Sequence, residues 1–272
     1  MDSRIAAALK IDLSPVALLL ADDVPAEVLQ FAPGKWGCVM WLLANAARGK
    51  AAAASRETFG CLGGGVGLGF GNQYEKWPGG IGYFFGFLSQ GNDGSEEGRA
   101  VAEQVRPFLR REALESFRHG EGYLKTPELA RKFVEALPMT DIPARYVVFK
   151  PLADVTAGER PEIVIFLADA DRLAALVVLA NYGRDHNENV VIPFLAGCQA
   201  IGIAPLREAR SPQPRAVVGL VDLSARLFVA KQLGSGLFSF AVPLAMFEEM
   251  EGNVAGGFLE RDTWRSLCAL HD

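Results

Sequence analysis

The sequence holds few of the residues on which metal or nucleophilic chemistry usually rests. There are three histidines, His119, His186 and His271, each in polar surroundings, and no H-E-x-x-H or H-x-x-H arrangement. A cysteine–histidine hydrolase is therefore the least favoured enzyme, although His186 would serve Cys61 as a base if the fold brought them together. Four cysteines, Cys38, Cys61, Cys198 and Cys268, contain no C-x-x-C pair and are too few and too scattered for a disulfide scaffold, so reduced thiols are expected. The dinucleotide fingerprint is missing: Gly63 and Gly65 are followed by Leu68, Gly65 and Gly67 by Phe70, and Gly67 and Gly69 by Asn72. The G-x-x-x-x-G-K-[ST] phosphate loop is missing too.

An excess of positive charge is also lacking. The 272 residues carry 27 basic against 32 acidic side chains, a net charge of −5, interspersed along the chain. No basic face for nucleic acid is expected. The run Ile192–Leu206 is uncharged but shorter than the roughly 20 residues a bilayer demands, and it contains Pro193, Gln199 and Pro205. No membrane span is expected. Asp12 and Pro15 fall where a signal peptide would be apolar, so a cytoplasmic protein is the expectation.

What the chain has in quantity is apolar residues and glycine. Hydrophobic residues make up 50% of it, ample for a continuous core. The expected extent is one domain over 1–272, read also as two similar intimate halves at about 1–90 and 145–272 with a helical insertion at about 95–137. Seven of the twelve residues from Gly60 to Gly71 are glycine, a density that implies close approach of some group to the backbone.

Periodicity places the elements around that run. A short helix over Asp2–Leu9 and a strand over Ser14–Leu20 come first, and the apolar pattern of Trp36–Gly49 then predicts a helix with Cys38 in its first turn. Six aromatics between Tyr74 and Phe87 form either a pocket wall or a core. Ser95–Arg118 is helical in period and broken at Pro107, and Thr126 with Pro127 opens a helix to about Leu137. Strands are expected at Arg145–Leu152, Glu162–Ala168, Val190–Pro193, Ala216–Val221 and Leu237–Val242, and helices at Asp169–Asn181, Phe194–Ile203, Leu244–Met250 and from Asp262. Asp222–Arg226 reads only as a connection. The fold class is α/β or α+β, a mixed sheet flanked by helices.

In this order the segments SPVAL, WGCVMWLLANAARGK, ETFGCLGGGVGLGFG, VVFKPL, GCQAIGI and SFAVPLAMFEEM resemble a bacterial and archaeal family called domain of unknown function 169. The resemblance spans nearly the whole chain. It implies a single-domain extent and directs attention to Cys38, Cys61 and Cys198, and it brings no activity with it.

Two functional readings follow. In the first, a small molecule or redox cofactor sits against Gly63, Gly64, Gly65 and Gly67, with Cys38, Cys61 and Cys198 around it and Cys61 as the reactive thiol, its ionisation favoured by a helix start. The three thiols are also the candidate ligands of an iron–sulfur cluster or soft metal, although 22 and 136 residues intervene between them. Lys150, Arg184 and Arg226 are candidates for an anionic ligand. In the second, the chain is a binding or regulatory module in which glycine helices pack on each other or on a second subunit, as a homo-oligomer, and the cysteines are inert.

Overall fold

The computed structural model describes residues 1–109 and 111–270. The chain divides into two compact units, one formed by 1–70 with 141–272 and the other by 71–140.

The larger unit begins with α1 (Arg4–Ala8), capped by the Ser3 side chain, and β1 (Val16–Ala21). Next come α2 (Val39–Ala47), β2 (Ala52–Ser55) and α3 (Leu62–Gly67). The smaller unit holds α4 (Ile81–Leu88), α5 (Glu96–Val105), α6 (Arg111–His119) and α7 (Pro127–Glu135). The larger unit then resumes with β3 (Tyr146–Pro151), β4 (Ile163–Ala168), α8 (Ala170–Asn181), β5 (Val190–Val191), α9 (Gly197–Ile201) and α10 (Ile203–Glu208). It closes with β6 (Ala216–Gly219), α11 (Leu223–Leu233), β7 (Phe238–Pro243), α12 (Leu244–Gly252) and α13 (Asp262–Cys268).

The seven strands form one sheet in the order β2-β3-β1-β4-β7-β6-β5. Every pairing is antiparallel except β5 with β6, so the fold is α+β with a mixed sheet, as the patterning implied. Apolar residues on successive positions of the central strands bury both faces. In β4, Val164, Phe166 and Ala168 join one core with α8, α12 and Trp264 of α13. Ile163, Ile165 and Leu167 join the other, with Val39 to Ala47 of α2, Ile201 of α9 and Val229 of α11. The candidate site belongs to this second face.

The helices of 71–140 pack on their own aromatic cluster, in which Tyr74 stacks on Phe84 at 4.0 Å and Trp77 lies 4.7 Å from Phe84 and 5.0 Å from Phe87. Pro107 falls in a 3-10 turn between α5 and α6, where it was expected to break the helix. Among the described residues no helix is long and apolar enough to cross a membrane.

Three local features differ from the sequence reading. Ala52–Ser55 is an edge strand, although alanine has low strand propensity, because its small side chains fit beneath α2 and pair with β3. The apolar run from Phe194 becomes helical only at Gly197, and Gly202 splits it from α10. Leu223–Leu233, read as part of a connection, is a full helix started by Asp222, whose side chain accepts from the Ala225 amide.

Glu251, in the last turn of α12, accepts from Ser3 Oγ at 2.6 Å, Arg4 N at 2.9 Å and Ile5 N at 3.3 Å, and so satisfies the free amides at the start of α1. Glu251→Ala is expected to cost about 1 kcal/mol, the usual size of a lost cap. A urea melt would check this, with Ser3→Ala in the same background costing about a further 1 kcal/mol, because Ser3 Oγ also accepts from the Ala6 amide at 3.0 Å.

Candidate functional site

Four side chains from the starts of four helices on the second face define the site. Cys38 is the N-cap of α2 and Cys61 that of α3, Cys198 is the second residue of α9, and Asp222 is the N-cap of α11. Cys61 Sγ accepts from the Gly64 amide at 3.2 Å, while Cys198 Sγ donates to the Gly63 carbonyl, also at 3.2 Å. Asp222 Oδ1 accepts from Ala225 N at 2.7 Å. Asp222 is only 8% exposed, and its Oδ2 is buried with no well-formed hydrogen bond among the described residues, the Gly197 amide acting on the carboxylate besides that of Ala225.

The electrostatics tie these groups together. Burial pushes the Cys38 thiol up to about 12, with the charges of Cys61 and Asp222 adding to it and the Met40 amide opposing. Cys198 is raised well above an ordinary thiol by burial, then by Cys61, Cys38 and Asp222. Asp222 is raised by burial, against the backbone amides around it. No basic side chain figures in any of these shifts, so the site is a set of mutually repelling acids that stay protonated longer than usual. All three cysteines nevertheless keep some accessible surface.

Cys61 corrects an expectation. A thiol at a helix start was expected to ionise readily, but burial raises Cys61 and outweighs the Gly64 and Gly63 amides that favour its thiolate. The helix behind it has six residues, too short for much of a dipole.

The structure brings Cys38, Cys61 and Cys198 into one neighbourhood, yet among the described residues no three His, Cys, Asp or Glu side chains are gathered as a metal ion would require. The glycines explain how close the backbones come. A Cβ on Gly67 would lie 2.7 Å from Cys198 Cβ and Sγ, one on Gly202 would lie 2.0 Å from the Gly67 carbonyl oxygen, and one on Gly64 would lie 2.7 Å from the Phe59 oxygen and 2.8 Å from Val39. The space over Gly64 and Gly67 is therefore filled by protein. Gly65 is buried in α3, and Gly63 keeps some exposure beside Cys198.

The remaining candidates lie in other pairings. Lys150 binds Glu159 at 2.8 Å. Arg184 bridges Glu249, Asn189 and the Pro214 carbonyl, and Arg226 donates to the Leu220 and Leu237 carbonyls over the Phe238 ring. His186 pairs with Asp185, His119 lies 3.5 Å from Glu115, and His271 lies outside the described residues. Asp222 was the residue that sequence reasoning missed. An aspartate before a helix-forming run is a capping signal, but nothing in it discloses that the carboxyl is buried among the thiols.

A family model for domain of unknown function 169, described as an uncharacterised ArCR, matches residues 4–253. No curated protein and no solved structure matches the chain.

Proposed function

We propose that this chain, which belongs to the family called domain of unknown function 169, holds a small organic ligand or cofactor at the site formed by Cys38, Cys61, Cys198 and Asp222. The observation that carries the reading is Asp222 Oδ2, a buried acceptor with no well-formed hydrogen bond, whose carboxylate meets the Gly197 amide and acts on the Cys38 and Cys198 thiols. A buried carboxyl left half satisfied costs stability, and such a cost is commonly the signature of a group kept for a ligand. The ligand would donate a hydrogen bond to Oδ2 and present a soft, polarisable group to the sulfurs. Exposed Trp36, two residues before Cys38, and Leu223 and Leu227, one and five residues after Asp222, support an apolar body on that ligand, and the Trp36 ring lies 5.6 Å from Phe228 of α11. That no three His, Cys, Asp or Glu side chains among the described residues are gathered for a metal ion weighs for an organic molecule over a single metal ion. Free thiols fit a reducing compartment, and we assign the protein to the cytoplasm on that ground.

The contacts of Gly67 with Cys198 and of Gly202 with the Gly67 carbonyl favour a second reading, a binding or regulatory module whose cysteines only pack. Asp222→Asn separates the two. It keeps the cap oxygen and removes a buried charge, so at neutral pH the ligand-free variant should be more stable than the parent by about 1 kcal/mol. The sign follows from the raised folded-state titration of Asp222: its ionised form costs stability above that point, and the gain disappears as the pH falls through it. Native mass spectrometry, with absorption and elemental analysis of the same anaerobic sample, should find an organic mass in the parent and lose it in the variant. A stoichiometric metal, or equal retention of the organic mass by both proteins, would overturn the proposal. A parent with nothing bound would favour the packing reading.

A further inference from the structure

We propose that Cys61 is the site thiol that soft electrophiles modify first, and that Cys198 sets its reactivity through the peptide group joining Gly63 and Gly64. The inference rests on the ligand reading only in naming the thiol that meets the ligand. Its test uses ligand-free protein, so the two can fail separately.

The geometry is a relay across one peptide plane. The Cys198 thiol donates to the carbonyl oxygen of Gly63 at 3.2 Å, and the amide of Gly64, the other half of the same peptide, donates to Cys61 Sγ at 3.2 Å. A donor on the carbonyl draws electron density from the peptide nitrogen and strengthens the N–H bond's polarity, so the second hydrogen bond gains from the first. The gain is largest when the acceptor is a thiolate, because hydrogen bonds to charged groups are the stronger ones. Cys198 is thus a positioning residue: it is held as a thiol and its proton is committed to the peptide. The contact exists because Gly67 has no side chain, for a Cβ there would lie 2.7 Å from Cys198 Cβ and Sγ and push the residue away.

The other acids of the site reinforce this order. The titratable groups facing it are Cys38 from α2, Cys198 from α9 and Asp222 from α11. Charge on Cys61 or Asp222 raises both Cys38 and Cys198, which are helped by one amide each, Met40 and Gln199, whereas Cys61 is opposed by burial alone and is helped by three, those of Gly64, Gly63 and its own residue. One ionised sulfur therefore suppresses the other two, and the amides select Cys61 as that sulfur.

N-ethylmaleimide is the probe. Cys61 gives its proton to water, its sulfur pair forms a C–S bond to one alkene carbon, and the opened π pair takes a proton from water at the other, so no oxidant or reductant is needed. In a Cys268→Ala background, timed labelling with peptide mass spectrometry should find Cys61 modified before Cys38 and Cys198. Cys198→Ala should slow Cys61 roughly two- to fourfold at fixed pH and move its pH profile upward, the size expected when a neighbouring hydrogen bond is weakened by some tens of per cent. Cys198→Ser, whose hydroxyl donates to the same carbonyl, should restore it. Labelling of Cys38 or Cys198 first, or a Cys61 rate that Cys198→Ala leaves unchanged or raises, would overturn the inference. If Cys198→Ala does not fold, the serine variant decides: a Cys61 rate at or above the parent supports the relay, and a slower one overturns it.

Discussion

Gly202→Ala is expected to lower stability by about 3 kcal/mol, the upper range for a side chain forced into a packed interior. The added Cβ would fall 2.0 Å from the Gly67 carbonyl oxygen and 3.1 Å from that of Cys198, so backbone and not a pliable side chain must give way. Gly202 lies between α9 and α10, and the clash pushes α3 off α9. The melting temperature should fall by roughly 6–12 °C for a chain of this size. Because Cys61 caps α3 and Cys198 belongs to α9, labelling of Cys61 should also lose its dependence on residue 198 in the fraction that remains folded. Gly252→Ala, where a Cβ meets open space at the end of α12, is the control and should change stability by less than about 0.5 kcal/mol. A Gly202→Ala protein as stable as that control would mean that the α3–α9 contact yields easily and that the glycines do not hold the thiols in place.

The second large effect is expected at the pair that anchors α10 to β6. Glu208 is 4% exposed and accepts from Arg215 at three points: the backbone amide at 3.1 Å, Nε at 3.2 Å and a terminal guanidinium nitrogen at 2.9 Å. Arg215→Ala removes two of the three and leaves a buried carboxylate whose desolvation is then offset only by the remaining amide and by Arg207 at 3.8 Å. The expected loss is about 2 kcal/mol at neutral pH, below the figure for a fully enclosed pair because Arg215 is itself partly exposed and its backbone amide remains. Burial alone would raise Glu208, but the hydrogen bonds and charge of Arg215 outweigh it and hold the carboxyl below its usual range. A depressed folded-state value stabilises the fold above the unfolded value and loses that contribution as the pH falls through the folded one. The deficit of Arg215→Ala should therefore be full near neutral pH and shrink steadily on acidification. Urea melts of both proteins across that range would test it, and a deficit that did not change with pH would show that Arg215 acts through packing alone.

Much of the larger unit was legible because its signals are local. Apolar runs at 145–152, 162–168 and 237–242 became β3, β4 and β7, Asp169 starts the helix expected from it, and in the smaller unit Thr126 likewise caps the helix it precedes. Where local preference and packing disagreed, packing prevailed. Four small residues at Ala52–Ser55 became an edge strand because β3 offered a ladder. The helix after Asp222 was hidden by weak amphipathicity, since Leu223 and Leu227 face outward while Ala225 and Val229 face the core.

The site divides along the same line. Residue types together with the family resemblance singled out Cys38, Cys61 and Cys198, and glycine density alone implied a close approach at Gly60–Gly71. Only the tertiary structure decided that the approaching group is α9, that 22 and then 136 intervening residues fold back to bring three thiols together, and that the buried Asp222 carboxyl joins them. It also reversed the expected ease of ionising Cys61. Periodicity and capping act over a few residues and can be read along the chain, whereas burial and charge at a sulfur depend on whatever the whole fold packs around it.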